Sequence, residues 1–216
     1  MKTVYFKTTE ELIERAQGLL GETLAVPGNI MLSGGSTPYV IYRRLADEAC
    51  PVHPQRRMFL SDERLVPFDS ENNNAHNLEP MLKALNCTDR FIRVDTSQPP
   101  EQAAAAFECA LQGMVRVDLG FLGMGSDGHT AGFFTLEQAG MKTGALTLHT
   151  RRPDGMEGVS VTPAFFRRVE RLILLVTGES KRDIISTLLH APQSIPAGIA
   201  LSEHENVELW TDIGVS

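Results

Sequence analysis

The stretch Gly123-Met124-Gly125-Ser126-Asp127-Gly128-His129-Thr130 sets a carboxylate and an imidazole on either side of one glycine. An imidazole near its ordinary pKa accepts a proton from water at neutral pH. A neighbouring carboxylate can hold the ring in one tautomer and favour the imidazolium that forms. The same letters fit the dinucleotide pattern G-x-G-x-x-G from Gly123 to Gly128. Such a loop needs an acid at the end of the next strand, about 20 residues on, to hold the ribose. Here that strand ends in His149-Thr150-Arg151, without an acid, and the motif lies past mid-chain rather than in a first βαβ unit. Taken alone, an Asp-Gly-His triplet is also an ordinary turn.

Three further loops carry groups that could act with it. Ser33-Gly34-Gly35-Ser36-Thr37-Pro38 follows an apolar run. Its glycines let backbone amides approach a ligand, Ser36 or Thr37 can cap the next helix, and Pro38 suits a first helical position. A helix start of this kind offers amides and a positive dipole end to a phosphate; the plainer alternative is a capped strand-to-helix turn. It is not a Walker A loop, because no Gly-Lys-Ser/Thr occurs. Ser61-Asp62-Glu63-Arg64 ends a second apolar run. Arg64 can hold an anion or stabilise charge developing on an oxygen, and Asp62 can orient a hydroxyl, unless the three charges are a solvated run. The polar stretch after it includes Asn73 and Asn74, which face the same place or make turns. Thr177-Gly178-Glu179-Ser180-Lys181-Arg182 follows the most apolar run of all. A cation such as Lys181 in the first turn of a helix opposes the dipole, which makes sense opposite a bound anion. A surface lysine is the alternative.

The other histidines, His53, His76, His149, His190 and His204, have no ligand spacing with each other or with cysteine, so no metal site is expected. Cys50, Cys87 and Cys109 lack CxxC spacing and read as reduced thiols. A net charge of -7 argues against a general nucleic-acid binder and requires local cations for any anionic substrate. No apolar run approaches the roughly 20 residues of a membrane span, and the N-terminus lacks a signal-type apolar stretch. The expectation is a cytoplasmic protein that binds neither nucleic acid nor membrane.

Short apolar runs alternating with helical patterns must position these loops. Strands are expected at 28 to 35, 56 to 64, 91 to 96, 117 to 125, 145 to 149, 158 to 162 and 171 to 178, with an edge strand at 207 to 212. Helices are expected at Pro38–Ala49, at 74 to 85 despite Pro80, at 100 to 114 and at 179 to 190. The 216 residues suit one α/β domain spanning 1–216, or one with a small lobe. Its core is expected to be a doubly wound, mainly parallel, Rossmann-like sheet with helices on both faces. In such sheets ligands bind beyond the carboxyl ends of the strands, which is where all four loops fall.

Together and in this order, SGGSTP (33 to 38), SDERLVP (61 to 67) with Asn73-Asn74, DLGFLGMGSDGHTA (118 to 131) and LLVTGESK (174 to 181) resemble the 6-phosphogluconolactonase family. That family shares its fold with the glucosamine-6-phosphate deaminases. The resemblance implies hydrolysis of 6-phospho-D-glucono-1,5-lactone, the second step of the oxidative pentose phosphate pathway, with no cofactor or metal. It implies that Gly34, Gly35, Ser36 and Thr37, with Ser33 before them, form the phosphate-side loop and that Lys181 binds the phosphate. His129 is then the general base, with Asp127 and Gly125 beside it. Asp62, Arg64 and Asn74 orient the lactone.

The chain departs from the family pattern at Gly132 and Thr135, which stand where Ser and Pro are usual. It departs again at Gly158, where an Arg commonly precedes the strand. Arg151 and Arg152, a few residues upstream, are the candidate replacements. The deaminases rely on a glutamate that falls here at Phe134, which favours the lactonase over an isomerase. A dinucleotide-dependent oxidoreductase and a non-catalytic sugar-phosphate binder are the other readings. Oligomeric state is left open by the sequence.

Overall fold

Strands covered on both faces must be apolar throughout, with alternate side chains entering different cores. The computed structural model, which describes residues 1–48 and 50–214, shows this pattern. In the strand Gly28–Leu32, Ile30 and Leu32 enter one core and Met31 the other. In the strand Leu172–Val176, Leu172, Leu174 and Val176 face one side and Ile173 and Leu175 the opposite side.

In chain order the elements are β1 (Lys2–Tyr5), α1 (Thr9–Leu24), β2 (Gly28–Leu32), α2 (Ser36–Asp47), β3 (Arg56–Leu60), β4 (Asp62–Arg64), α3 (Asn74–Ala84), β5 (Phe91–Ile92) and α4 (Pro100–Leu111). There follow β6 (Leu119–Gly123), α5 (Leu136–Ala139), β7 (Thr147–Arg151), β8 (Glu157–Val161), α6 (Pro163–Phe166), β9 (Leu172–Val176), α7 (Arg182–His190), α8 (Pro196–Ala200) and β10 (Val207–Thr211). Seven strands form a parallel sheet in the order β1-β10-β9-β6-β2-β3-β5. Helices α1, α2 and α3 bury Leu20, Tyr42 and Leu78 against one face, and α4 and α7 bury Phe107 and Ile185 against the other. The sheet is doubly wound, as the alternation of elements implies.

Three expectations change, and two elements are new. The run 207 to 212 is not an edge: β10 lies between β1 and β9 in register with both, and β1 is the edge. No sequence pattern marks β1, because it is four residues long and mostly exposed. Helix α1 is likewise new; Thr8 caps it by accepting from the Glu11 amide at 3.1 Å. The expected helix to Ala49 ends at Asp47, and Ala49 lies outside the described residues. The run 56 to 64 is two strands rather than one. At Ser61 the chain leaves the parallel sheet, its amide still bonded to the Leu32 carbonyl (2.7 Å) and its carbonyl accepting from the Val161 amide (2.8 Å). Residues 62–64 then join an antiparallel sheet in the order β4-β8-β7. This second sheet carries Asp62 and Arg64, with Arg152 just beyond β7. Among the described residues no helix is long and apolar enough to cross a membrane.

Candidate active site

The carboxyl ends of β2, β6 and β9 and the whole of β4 enclose a cleft of about 220 Å³. Its lining includes Ser33, Gly34, Gly35, Ser36, Thr37, Asp62, Arg64, Asn74, Gly125, His129, Arg152 and Lys181. The four loops that lie far apart in sequence therefore meet. Arg151 does not join them. Its side chain is 70% exposed and pairs with Glu157 at 3.5 Å, because neighbours on a strand point to opposite sides. A larger groove of about 810 Å³, lined by Val66, Phe68, Phe91 and Arg93 beside β5, holds none of these groups.

The base of the cleft is the start of α2. The helix begins at Ser36, with Gly35 (φ 119°) as the N-cap and no side chain bonded to the end. Neither Ser36 nor Thr37 caps it, and Pro38 is its third residue rather than its first, so the first amides stay open to a ligand. The Ser33 hydroxyl, buried in the lining, has no hydrogen-bond partner among the described residues. Gly34 is glycine for a steric reason: a Cβ there would lie 2.4 Å from Asn74 Oδ1. Lys181 closes this side, donating from Nζ to the Met124 carbonyl at 2.8 Å. It sits in a short 3-10 turn as the N-cap of α7, one residue ahead of the first turn the sequence suggested. Burial lowers its pKa, and the charge of Asp127 works against that shift.

The opposite wall is β4. Alternation sends Asp62 and Arg64 to one side and Glu63 to the other. Asp62 accepts from the Ser61 hydroxyl at 2.7 Å. Burial raises its pKa against the pull of that hydroxyl and of Arg64, His129 and Arg152. Arg64 donates from Nη1 to the Asn72 carbonyl at 3.0 Å. Asn74 is fixed at both ends of its amide, by the Asp62 carbonyl (3.0 Å) and the Tyr39 hydroxyl (2.7 Å). Glu63, 2% exposed, accepts from the backbone amides of Asn74 (2.7 Å), Ala75 (2.7 Å) and Arg64 (2.8 Å). Burial pushes its carboxyl up to about 7 against those three donors. It thereby ties the start of α3 to β4 and fixes the backbone of two cleft residues. The sequence assigns Glu63 no role of its own; the period of two along β4 is the signal that separates it from its neighbours.

The third wall is the loop after β6. Its Gly125 amide donates to the His129 carbonyl (2.9 Å), the Gly128 amide to the Gly125 carbonyl (3.1 Å) and the Thr130 hydroxyl to the Gly123 carbonyl (2.8 Å). Gly128 takes φ 81°. His129 Nδ1 lies 2.5 Å from Asp127 Oδ1, and the His129 amide donates to the same oxygen at 3.2 Å. Burial alone would raise the Asp127 pKa, but the His129 hydrogen bond and charge outweigh it and hold the carboxyl below its ordinary range. This geometry assigns the Nδ1 proton to the contact with Asp127 and leaves the lone pair of the neutral ring at Nε2. The glycines are explained by the same contact. A Cβ at Gly125 would fall 2.1 Å from His129 Nδ1 and 2.3 Å from Asp127 Oδ1. The space that a dinucleotide loop keeps for a pyrophosphate is filled here by the acid–imidazole pair.

At Gly158, β8 pairs with Arg64 on β4, and a Cβ would meet the Glu63 carbonyl at 2.9 Å. Arg152, a few residues upstream and in the cleft lining, has its guanidinium 4.9 Å from the Phe134 ring centroid and 3.3 Å from Asp154. Phe134 also touches His129, with centroids 4.8 Å apart. The cleft thus joins three cations, open helix amides and an imidazole paired with a carboxylate in a chain whose net charge is -7. That combination suits an anionic substrate attacked by water. Among the described residues no group of three His, Cys, Asp or Glu side chains is placed to hold a metal ion.

Comparisons with known proteins agree with this frame. A 6-phosphogluconolactonase of Thermotoga maritima is 34% identical over 166 residues, covering 74% of this chain and 74% of the relative. The solved 6-phosphogluconolactonase of Trypanosoma brucei superposes with a TM-score of 0.82 at 25% identity, over 97% of this chain and 95% of that one. A monomeric glucosamine-6-phosphate deaminase superposes with a TM-score of 0.78 over 98% of this chain and 97% of that one, but at 19% identity it speaks for the fold alone. Residues 4–210, nearly the whole chain, match the family described as glucosamine-6-phosphate isomerases/6-phosphogluconolactonase, and the chain belongs to that family.

Proposed function

We propose that this chain hydrolyses 6-phospho-D-glucono-1,5-lactone to 6-phosphogluconate, as in the oxidative pentose phosphate pathway, with His129 as general base. It is a lactone-hydrolysing carboxylic ester hydrolase of the 6-phosphogluconolactonase kind, as its relatives at moderate identity support. The observation that carries the mechanistic reading is the 2.5 Å contact between His129 and Asp127 in a cleft floored by an uncapped helix start.

The phosphate binds at the amides of Ser36 and Thr37, the Ser33 hydroxyl and Lys181. Anchoring it there holds the lactone carbonyl over His129 and removes most of the orientational freedom. His129 Nε2 takes a proton from water as the water oxygen bonds to C1. Arg64 stabilises the tetrahedral oxyanion. The C1–ring oxygen bond then breaks, and the imidazolium returns its proton to the departing ring oxygen. One base used twice completes the reaction, so the chemistry needs water and no electron carrier. Asp62 and Asn74 orient sugar hydroxyls, and Arg152 adds the cation on the side that Gly158 leaves bare.

A coupled assay with lactone generated in place, run beside glucosamine 6-phosphate, tests the reading. Turnover of the amino sugar and not of the lactone would overturn it. Lys181→Ala is expected to raise KM for the lactone by about 10-fold or more, the loss of a charge-assisted hydrogen bond. An unchanged KM would mean that Lys181 does not touch the substrate.

A further inference from the structure

Phe133 and Phe134 are adjacent but differ in surroundings. Phe133 is fully buried and stacks edge-on with Phe166 in the core. Phe134 is partly exposed, and its ring lies against two polar groups of the cleft. The His129 ring sits 4.8 Å away at 41°, and the Arg152 guanidinium carbon 4.9 Å from the same centroid. An apolar ring serving two hydrophilic side chains is not core packing. The backbone beneath it is also fixed. The Phe134 amide donates to Gln138 Oε1 at 2.9 Å, and Gln138 closes a capping box with Thr135. Gln138 Nε2 reaches Thr150 Oγ1 at 3.3 Å, and that hydroxyl donates to the Gly132 carbonyl at 2.7 Å. The loop that carries Phe134 is therefore tied to β7, the strand from which Arg152 emerges.

We propose that Phe134 is a positioning residue whose ring is the shared platform for the His129 imidazole and the Arg152 guanidinium. Asp127 fixes His129 along one direction only, through Nδ1, and a ring held by a single hydrogen bond can still rotate about it. The aromatic contact removes that freedom. Stacking on the same ring holds the Arg152 side chain, whose other side-chain contact among the described residues is Asp154. The inference rests on the reading of His129 as the base.

The test is steady-state kinetics on Phe134→Ala, Phe134→Leu, Phe134→Tyr, His129→Ala, Arg152→Ala and the double variant F134A/R152A, with thermal melting of each. F134A is expected to lower kcat about 10-fold, as small misplacements of a reacting group do, and to raise KM. F134Y keeps the ring and restores both values, whereas F134L keeps apolar bulk without a ring face and does not. KM of F134A/R152A should be no higher than that of R152A alone, because both changes release the same cation. Wild-type kcat in folded F134A beside inactive H129A would overturn the proposal and leave the base assignment standing. So would KM effects that multiply. If H129A turns over normally, the base assignment falls and the KM comparison decides the platform by itself. Should F134A unfold, F134L and F134Y decide: kinetics of F134L that match F134Y would overturn the proposal, and a loss confined to F134L would support it.

Discussion

His129→Ala is expected to lower kcat by about 10²-fold or more, measured after subtraction of spontaneous lactone hydrolysis. The reason lies in the ring's surroundings. Nδ1 is occupied by Asp127 at 2.5 Å, so Nε2 is the nitrogen left to accept a proton from water. The Asp127 carboxyl, held below its ordinary range, is ionised at neutral pH, and on the proposed mechanism it stabilises the imidazolium formed during attack. Asp127→Asn keeps the shape and removes the charge, so it too should lower kcat. Its loss should be smaller than that of H129A, because the base remains. Binding of 6-phosphogluconate, measured by calorimetry, should persist in H129A, since the phosphate site proposed above lies at α2 and Lys181, away from the imidazole. Normal turnover by H129A would remove the general-base assignment.

Gly125→Ala is the second large effect, a fall in kcat of about 10²-fold, and it reaches the same pair by a different route. The added methyl would lie 2.1 Å from His129 Nδ1 and 2.3 Å from Asp127 Oδ1, distances at which something must move. Gly125 is not among the glycines with positive φ, so alanine adds no backbone strain of its own. Thermal stability should then change little while turnover collapses. The variant also separates the two meanings of the glycine motif. If the loop held a dinucleotide, wild type would show a thermal shift with NAD(P), and G125A would lose it. No shift in wild type, with lost turnover in G125A, assigns the glycine to the acid–imidazole pair.

The parallel core was legible because β9 is apolar throughout, β2 ends in the buried apolar residues Ile30, Met31 and Leu32, and few other structures accommodate such runs. The meeting of the four loops followed from the rule that strand ends in doubly wound sheets share one edge. Three features of the cleft were not legible. The break at Ser61 depends on a pairing between residues 62–64 and 158–160, a contact across about a hundred positions that no local pattern announces. The choice of Arg152 over Arg151 depends on which side of β7 faces inward, and adjacent arginines look alike without that register. Nor could spacing reveal that α2 begins uncapped at Ser36, since Ser and Thr are good caps wherever they fall.

The brevity of β4 has a consequence for how this chain can change. Its three residues put two charges into the cleft and a third under α3, and one step along the backbone exchanges those two destinations. A single-residue insertion or deletion between Ser61 and Arg64 would therefore not adjust the cleft gradually. A deletion would drive the arginine beneath the helix, and an insertion ahead of Glu63 would turn the buried acid toward the cleft. The tripeptide can vary by substitution at each position, but its length is fixed by the parity of the strand. A length change there should be tolerated far less than one of equal size in the polar stretch that follows.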